Sequence, residues 1–330
     1  MSAGRALGLL GLALGSLLGL TPPSTVLAQD GAPVPEGAPF LLLPLGAQAV
    51  ALGRAMTAVP GAEAVFWNPA GLATLEGSHL ELFRGNNFAV EQFGAAVLGK
   101  AGGLGTVGLT YGLTDVGEGA LTDETGQVLG SITVRSHVAT ASFATGLVSS
   151  VDAGVNVKLA HFRQSCRGQC SQAGVSSTSV AFDLGLLAHP GDAFRLGVMV
   201  AHLGPKVQFI NAEQADPLPT RLRVAGAYEI IRQWEESGRF QLWMNLEMED
   251  RWHDLGDPSL YLGSELQVGT DEALFVRAGY VFRDLDQRRG AALGLGLRYD
   301  RFNVAIARSL AAAELSPDTE PVYVTLGIAF

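Results

Sequence analysis

The sequence has little charge and no surplus of basic residues. Only 16 % of its 330 residues are charged, and 22 basic residues stand against 32 acidic ones, which gives a formal net charge of −10. A nucleic-acid-binding protein normally needs a basic surplus to neutralise phosphates. A disordered chain would have fewer than the 48 % hydrophobic residues present here. We therefore expect a folded protein that binds no nucleic acid, and its apolar composition raises the question of a membrane location.

Beyond its first segment, the sequence also lacks long apolar runs. Arg5 precedes an apolar run from Ala6 to Leu20, and Val26-Leu27-Ala28 has the small-residue pattern of a cleavage site. These features predict a secretory signal peptide, residues 1–28, cleaved after Ala28; a retained anchor helix is the alternative. No later stretch reaches the roughly 18 uncharged apolar residues of a transmembrane helix. If the mature chain crosses a membrane, it must do so as a closed β-barrel.

Cysteine is nearly absent, and the usual catalytic motifs are missing. Cys166 and Cys170 are the only two cysteines, and both fall in a polar segment, 163–175, that we interpret as an external loop. In an oxidising compartment they are expected to form a disulfide. Metal binding is the alternative, but two thiols with His161 as the sole neighbouring candidate are too few ligands. The sequence has no HExxH or GxSxG motif, so we expect no enzyme, no metal and no cofactor.

Apolar residues alternate with small or polar ones along most of the chain. Val322, Val324, Leu326 and Ile328 fall on one face of the last segment, and a period of two indicates a β-strand. The same reading elsewhere predicts fourteen strands. They are 78–84, 88–98, 103–113, 137–147, 151–162, 176–187, 194–203, 220–229, 240–248, 259–268, 273–282, 290–299, 302–309 and 322–330.

The connections between these strands alternate in length. Those after odd-numbered strands are mostly long, such as 114–136, 163–175 and 249–258, whereas those after even-numbered strands are mostly short. Outer-membrane barrels have long external loops and short periplasmic turns. The sequence therefore predicts an all-β fold, a 14-stranded antiparallel transmembrane β-barrel over residues 78–330, in the outer membrane with both termini periplasmic. A soluble β-sandwich with one solvated face is the alternative.

Charged and amide side chains fall on the presumed inner face of this barrel. Charges are tolerated toward a wet or plugged lumen and are costly toward lipid. The lumen-facing candidates are Asp152, Asn156, Lys158, Asp183, Glu265, Arg277 and Arg298. At the end of the chain, Phe330 matches the aromatic terminal residue by which the barrel-assembly machinery recognises such proteins, so it is a candidate assembly signal.

The segment before the first strand, 29–77, does not alternate and is too apolar to hang freely in water. Ala-rich residues 46–56 suit a short helix, and Asn68-Pro69 is a turn signal. We expect a partly helical hatch, or plug, inside the barrel. Its candidate motif residues are Gly46, Gly53, Trp67, Asn68, Pro69 and Gly71.

Three runs in this segment, 43–49, 52–56 and 66–72, resemble the PorV/PorQ family of FadL-like outer-membrane barrels. The resemblance implies a fourteen-stranded barrel with an N-terminal hatch. FadL-like members pass fatty acids or other hydrophobic compounds, which makes hydrophobic small molecules the first expected partner. PorV-type members instead serve type IX secretion, so an adaptor barrel bound to secretion-system proteins, or a structural barrel without transport, is the alternative. Outer-membrane lipids and lipopolysaccharide are expected partners in either case.

Overall fold

The strands of the computed structural model close into a barrel. The described residues are 35–330 except 88–89, 171–173, 210–212, 214, 233, 235–236, 284–288 and 311–320; the expected signal peptide, 1–28, and residues 29–34 of the expected plug lie outside them. Within the described residues, fourteen antiparallel strands each pair with their sequence neighbours, and β1 pairs with β14, for example at Leu80 opposite Ile328. The predicted fold class is therefore confirmed.

At the end of the barrel that holds the C-terminal residue, Phe330, the strand bounds follow the predicted segments closely. The strands are β1 (Ser78–Asn87), β2 (Val90–Lys100), β3 (Thr106–Thr122), β4 (Val128–Val148), β5 (Val151–Gly168), β6 (Gly174–Gly191), β7 (Phe194–Leu203), β8 (Arg221–Glu229), β9 (Phe240–Arg251), β10 (Asp254–Val268), β11 (Ala273–Arg283), β12 (Gly290–Tyr299), β13 (Phe302–Ser309) and β14 (Val322–Ala329).

Side chains alternate between the inside and the outside of this wall. In β14, Tyr323 and Thr325 are buried, whereas Val322 and Leu326 are exposed. Large apolar residues occupy the exposed positions of other strands as well, among them Leu109, Val157, Leu184, Leu246 and Leu295. An exposed apolar surface of this extent is costly in water and is suited to lipid. No helix among the described residues is long and apolar enough to cross a bilayer.

Strands β3 to β6, and also β9 and β10, extend further than the alternation predicted, so three of the predicted long loops are wrong in extent. Segment 114–136 is mostly strand, because β3 runs to Thr122 and β4 begins at Val128, and segment 163–175 is shortened because β5 runs to Gly168. Likewise, only two residues separate β9 from β10 in the predicted loop 249–258. The added strand portions lie beyond the apolar outer surface, where polar residues no longer alternate regularly with apolar ones.

Residues 35–77, which we call the plug, pack against the inward faces of the strands. The plug contains helix α1 (Ala47–Ala51), helix α2 (Ala64–Trp67) and two 3₁₀ helices, Pro39–Leu42 and Pro69–Thr74. Helix α1 contacts β11 to β14, and the second 3₁₀ helix contacts β4, β5 and β6. Contacts on such widely separated strands place the plug in the lumen of the barrel.

The apolar core of the molecule lies between the plug and the wall. Ala47, Val50 and Ala51 of α1 pack with Ala305 and Tyr323 of the wall. Other buried clusters join the plug to the remaining strands in the same way. Because each helix is only one turn or slightly longer, its stability must come mainly from this packing rather than from helix propensity.

Candidate functional site

A buried carboxylate of β9 holds the middle of the plug. The Glu247 carboxylate accepts hydrogen bonds from the backbone N of Thr57 and from its Oγ1, each at 2.8 Å. On the other side, Glu247 lies 3.7 Å from the Arg223 guanidinium of β8. Arg223 also forms an ion pair with Glu249. A buried charge of this kind is stable only when it is paired and hydrogen-bonded, and here the plug supplies part of that pairing.

A second ion pair fixes the beginning of the plug. Both Nη atoms of Arg221 donate to the Glu36 carboxylate, at 2.7 and 2.6 Å. Arg221 is 1 % exposed, and its Nε lies 3.6 Å from Glu249. A bidentate arginine–carboxylate contact is both strong and fixed in geometry. The wall thus binds the plug at its start as well as at its middle.

The carboxylate of Glu63 links two parts of the plug to β14. It accepts from the backbone N atoms of Gln48 and Ala49, at 3.2 and 3.0 Å, and from Thr325 Oγ1 at 2.8 Å. Gly46, one of the predicted motif residues, has φ +100°, and a Cβ added there would overlap this carboxylate. A glycine is therefore required at position 46 both by conformation and by space.

The predicted motif around Asn68 forms a rigid corner of the plug. Asn68 Nδ2 donates to Thr57 O at 2.7 Å and to Leu186 O of β6 at 3.0 Å, while its Oδ1 accepts from Ala70 N at 3.2 Å. Pro69 then starts the second 3₁₀ helix, a position where its missing N–H has no cost. Trp67 is buried and donates from Nε1 to Leu45 O at 3.1 Å.

The two remaining motif glycines lie at close contacts. A Cβ on Gly71 would come within 2.8 Å of Ala64 Cβ. Gly53 has φ +60°, and a Cβ there would come within 2.7 Å of the backbone N of Tyr280 in β11. A residue larger than glycine at either position would overlap its neighbour in the plug or the wall.

The predicted lumen-facing residues form two separate groups and two outlying sites. Asn156, Lys158 and Asp183 lie together on β5 and β6: Lys158 Nζ is 2.6 Å from Asp183 Oδ2, and Asn156 Nδ2 donates to the same oxygen at 2.8 Å. Asn156 also donates to Val65 O of the plug at 2.9 Å. His202 completes this cluster, since its backbone N donates to Asp183 at 2.9 Å.

The second group joins β10, β11 and the plug. Arg277 Nε donates to Glu265 at 2.6 Å, and Gln48 Nε2 donates to the same carboxylate at 3.0 Å. The other two candidates lie apart from both groups. Asp152 contacts His189 at 3.1 Å, and Arg298 donates to the carbonyl groups of Thr270 and Asp271 at the end of the barrel.

Glycines of the wall provide the surface on which the plug backbone lies. A Cβ on Gly197 of β7 would overlap Thr57 O, and a Cβ on Gly279 of β11 would overlap Gly53 N. Wall glycines in β5, β6, β10 and β12 are close to the plug in the same way; they are Gly154, Gly185, Gly263 and Gly294. Glycine is required at these six positions, because backbone can approach backbone closely only where a Cβ is absent.

An apolar cavity of about 840 Å³, which we call the vestibule, lies on the side of the plug away from the C-terminal residue, Phe330. Its aromatic side is formed by Phe40 of the plug, Phe162 of β5 and Phe209 of the β7–β8 connection. Ring centroids are 6.4 Å apart for Phe40 and Phe162, and 5.3 Å apart for Phe162 and Phe209. The vestibule has the size and apolar lining of a small-molecule site.

The wall around the vestibule is uneven in height. Val90, at the start of β2, lines the vestibule together with Thr114 and Val116 of β3. Strand β2 pairs with β3 only as far as Asp115, whereas β3 continues to Thr122. The vestibule is therefore bordered by a low wall at β1–β2 and by a high wall at β3–β6.

Two smaller cavities lie deeper in the lumen. One of about 100 Å³ is lined by Phe66 and Trp67 of the plug and by Thr110, Thr140 and Lys158 of the wall. Another of about 310 Å³, at the end of the barrel that holds the chain terminus, has a more polar lining. Among the described residues, the plug lies between the vestibule and this third cavity.

The cysteines and the terminal phenylalanine lie at opposite ends of the barrel. Cys166 and Cys170 are joined by a disulfide, with Cys166 in the upper part of β5 rather than in the predicted loop. Phe330 is exposed, and its backbone N and O are bonded to Ser78 of β1. In the part of the chain that the structure describes, no group of three or more His, Cys, Asp or Glu side chains is arranged to bind a metal.

Several residues that hold the plug were missed by the sequence analysis. Glu36, Thr57 and Glu63 lie in a segment without periodicity, so nothing in the sequence indicated their partners. Arg221, Arg223 and Glu247 had a usable signal, because each falls at an alternate, inward position of a predicted strand. Glu249 falls just beyond the predicted strand 240–248, in what was expected to be a loop. Clusters of charge at inward positions of a membrane barrel are expected to pair with one another or with lumen contents.

Comparisons with solved structures show the fold. A search of protein-family models and a search of curated proteins return no match. The chain is similar to the CymD monoaromatic hydrocarbon channel, with a TM-score of 0.57, 12 % identity, and coverage of 87 % of this chain and 97 % of that one. It is also similar to the toluene transporter TodX of P. putida, with a TM-score of 0.57, 13 % identity, and coverage of 86 % and 98 %.

A Pseudomonas aeruginosa FadL homologue is a third structure of this kind. Its TM-score is 0.54 at 11 % identity, and the alignment covers 87 % of this chain and 99 % of that one. The likeness extends over nearly the whole length of each of these barrels. At such low identities it shows a shared FadL-like architecture and nothing finer.

Proposed function

We propose that this protein admits neutral hydrophobic small molecules through the outer membrane. The observation that carries the proposal is the vestibule, an apolar cavity of about 840 Å³ with an aromatic side formed by Phe40, Phe162 and Phe209. A cavity of this size accommodates a compound with one or two rings. An apolar cavity above a closed plug suits capture of a compound before its passage.

The surface of the barrel supports an outer-membrane location. The outward side chains of β4 from Leu147 to Ala139 are apolar except for Thr145, and His137 follows them. Eight residue steps from Leu147 to Ala139 amount to roughly 26 Å of strand, or about 20 Å along the axis of a barrel with tilted strands. That is close to the apolar band of outer-membrane barrels, which is about 25 Å tall. Long hairpins at one end, and short turns at the other, favour periplasmic termini.

The charges of the lumen favour a neutral substrate over an anionic one. Lys158 is paired with Asp183, and Arg221 with Glu36. The vestibule itself is lined by two acidic residues, Glu36 and Asp216, and one basic residue, Arg54. Because Glu36 is paired with Arg221, the remaining Asp216 and Arg54 give the lining no surplus of positive charge to offset the desolvation of an entering carboxylate. We therefore favour uncharged aromatic hydrocarbons, the compounds named for CymD and TodX, over fatty acids.

A matched pair of ligands tests this proposal. Toluene and benzoate share the ring and differ in the carboxylate, so equilibrium binding to the purified full-length protein compares them directly. We expect saturable binding of toluene, and binding of benzoate that is weaker by at least about tenfold, which corresponds to about 1.4 kcal/mol. Uptake of labelled toluene by cells with and without the protein provides the second measurement. Equal binding of both ligands, or equal toluene uptake with and without the protein, would contradict the proposal.

A role as a secretion adaptor is the second candidate. The plug resemblance to PorV/PorQ supports it, and so do the hairpins β3–β4 and β5–β6, which extend beyond the apolar surface and present long exposed edges. Such hairpins are suitable contact surfaces for another protein. Affinity purification from detergent-solubilised membranes should then recover type IX secretion components or their cargo. Purification of the barrel alone, together with measurable toluene uptake, would decide for transport.

A further inference from the structure

The outer face of β4 and β5 carries basic residues at the edge of the apolar surface. Arg135 of β4 lies directly opposite Arg163 of β5, and one row lower His137 lies opposite His161. Arg167 follows on the same face of β5, four residues beyond Arg163. We call these five residues the basic row. Phe162 and Gln164, the two neighbours of Arg163 in β5, line the vestibule. Arg163 and the residues that share its face therefore point outward.

Two arginines placed directly opposite each other on adjacent strands repel. Their Cβ atoms are about 5 Å apart in such a pair, and like charges in this position destabilise a sheet. Arg135 is partly neutralised by Asp115 of β3, since its Nε lies 2.7 Å from Asp115 Oδ2. Arg163 is exposed, and among the described residues it has no ion-pair partner. The nearest other acid on this face is Glu118, which lies opposite Thr133.

The height of the basic row on the barrel indicates what neutralises it. The rows immediately below are apolar, with Tyr111, Ala139 and Leu159 next to the histidines, and then Leu109 and Val157. Tyr111 donates or accepts a hydrogen bond with His137 Nδ1 at 2.7 Å, as is typical of a tyrosine at a membrane interface. The two arginines therefore lie just above the hydrocarbon, at the level of lipid headgroups.

We propose that the basic row binds the phosphate group of an anionic membrane lipid. The guanidinium groups of Arg135 and Arg163 would share the phosphate oxygens, which relieves their repulsion, while the acyl chains lie on the apolar strand faces below. Arginine suits this role because its planar fork matches phosphate oxygens. The lipid would act as a fixed annular partner of the high β3–β6 wall. This site is on the outside of the barrel and is independent of transport through the lumen.

Neutral and conservative variants of Arg163 test the proposal. Native mass spectrometry of the detergent-solubilised full chain measures the affinity for a diphosphorylated lipid A, with phosphatidylcholine as the zwitterionic comparison. We expect Arg163→Gln to weaken lipid A binding about fivefold, because a basic residue at an anionic membrane surface contributes about 1 kcal/mol. Arg163→Lys should retain most of the affinity. The double variant R135Q/R163Q should lose more than either single change.

Arg84→Gln serves as the matched control. Arg84 is an exposed outward arginine of β1 that forms a single ion pair with Glu91 at 3.4 Å. It has no arginine opposite it, since its cross-strand neighbours are Phe93 and Val324. Arg84→Gln should leave lipid A binding unchanged. The heat-dependent shift of the folded barrel on gels verifies that each variant is folded.

Three outcomes would overturn the proposal. The first is unchanged lipid A affinity in folded R135Q/R163Q. The second is equal affinity for lipid A and phosphatidylcholine, which would indicate apolar contact without a phosphate site. The third is displacement of the lipid by inorganic phosphate at equal concentration, which would assign the site to a soluble anion. None of these outcomes bears on toluene uptake.

Discussion

Thr57 of the plug is held at two points by a single carboxylate of the wall, because its backbone N and its Oγ1 both donate to Glu247 at 2.8 Å. Glu247 is fully buried and faces Arg223 on its other side. The plug and the wall therefore complete one another's hydrogen bonds in a place that water does not reach. Movement of the plug at this point would leave a buried carboxylate without two of its partners.

Removing this carboxylate should loosen the plug. We expect Glu247→Ala to raise the ion conductance of the barrel in planar bilayers, because hydrogen bonds to a charged group contribute about 1.5–3 kcal/mol each and Thr57 would lose two. Glu247→Gln keeps one acceptor and should give an intermediate conductance. Glu118→Gln, at an exposed position of β3, is the control. Conductance equal to that of the wild type in Glu247→Ala would show that other contacts suffice to fix the plug.

The contact between Gly279 of β11 and Gly53 of the plug should not tolerate a methyl group. A Cβ at position 279 would overlap Gly53 N, and overpacking of this kind costs about 1–3 kcal/mol. Gly279→Ala should therefore lower the thermal unfolding temperature of the purified barrel. At Gly226 of β8 the nearest atom to an added Cβ is Leu196 Cδ2 at 3.8 Å, so Gly226→Ala should be nearly neutral. Equal unfolding temperatures for both variants would show that the plug can shift without cost.

The fold was predictable because the outer face of the strands carries a regular pattern of exposed apolar residues. Leu326 and Leu295 belong to this pattern, and the alternation around them identifies the strands that carry them. Beyond the apolar surface the pattern ends, and strand portions such as Gly117–Thr122 look like loops in the sequence. Both of their faces contact water, so hydrogen bonding to the neighbouring strand, and not hydrophobicity, determines their structure.

The site was predictable only in part. Alternation assigned Asp183 and Lys158 to the inner face, but it does not say which inward side chains meet. That depends on the register between strands and on the path of the plug, which has no period to read. Gly46 illustrates the limit: its place in a resembling motif was visible, whereas the reason for it, the Glu63 carboxylate, requires the folded plug.

The disulfide between Cys166 and Cys170 should stabilise the tip of one hairpin and little else. It closes a loop with a sequence separation of 4 residues, for which chain entropy gives a contribution of about 2 kcal/mol. Because the upper parts of β5 and β6 extend beyond the apolar surface, this hairpin can open locally without unfolding the barrel. The double variant C166S/C170S should be cut faster by a protease between positions 166 and 175. Its global unfolding temperature should match that of the wild type; a large decrease would contradict local opening.

Phe162 should contribute directly to ligand affinity, because it lies between Phe40 and Phe209 in the vestibule. Truncation removes the aromatic surface that a ring-containing ligand contacts, and aromatic pairs contribute about 0.5–1.5 kcal/mol beyond their buried area. We expect Phe162→Ala to weaken toluene binding about tenfold, a change equivalent to about 1.4 kcal/mol. Phe182→Ala is the control. Phe182 lies on the outward face of β6, so this change removes a phenyl ring outside the vestibule and should leave the affinity unchanged. If both variants bind toluene like the wild type, the vestibule is not the binding site, and the ligand must be sought in the smaller cavity beside Phe66.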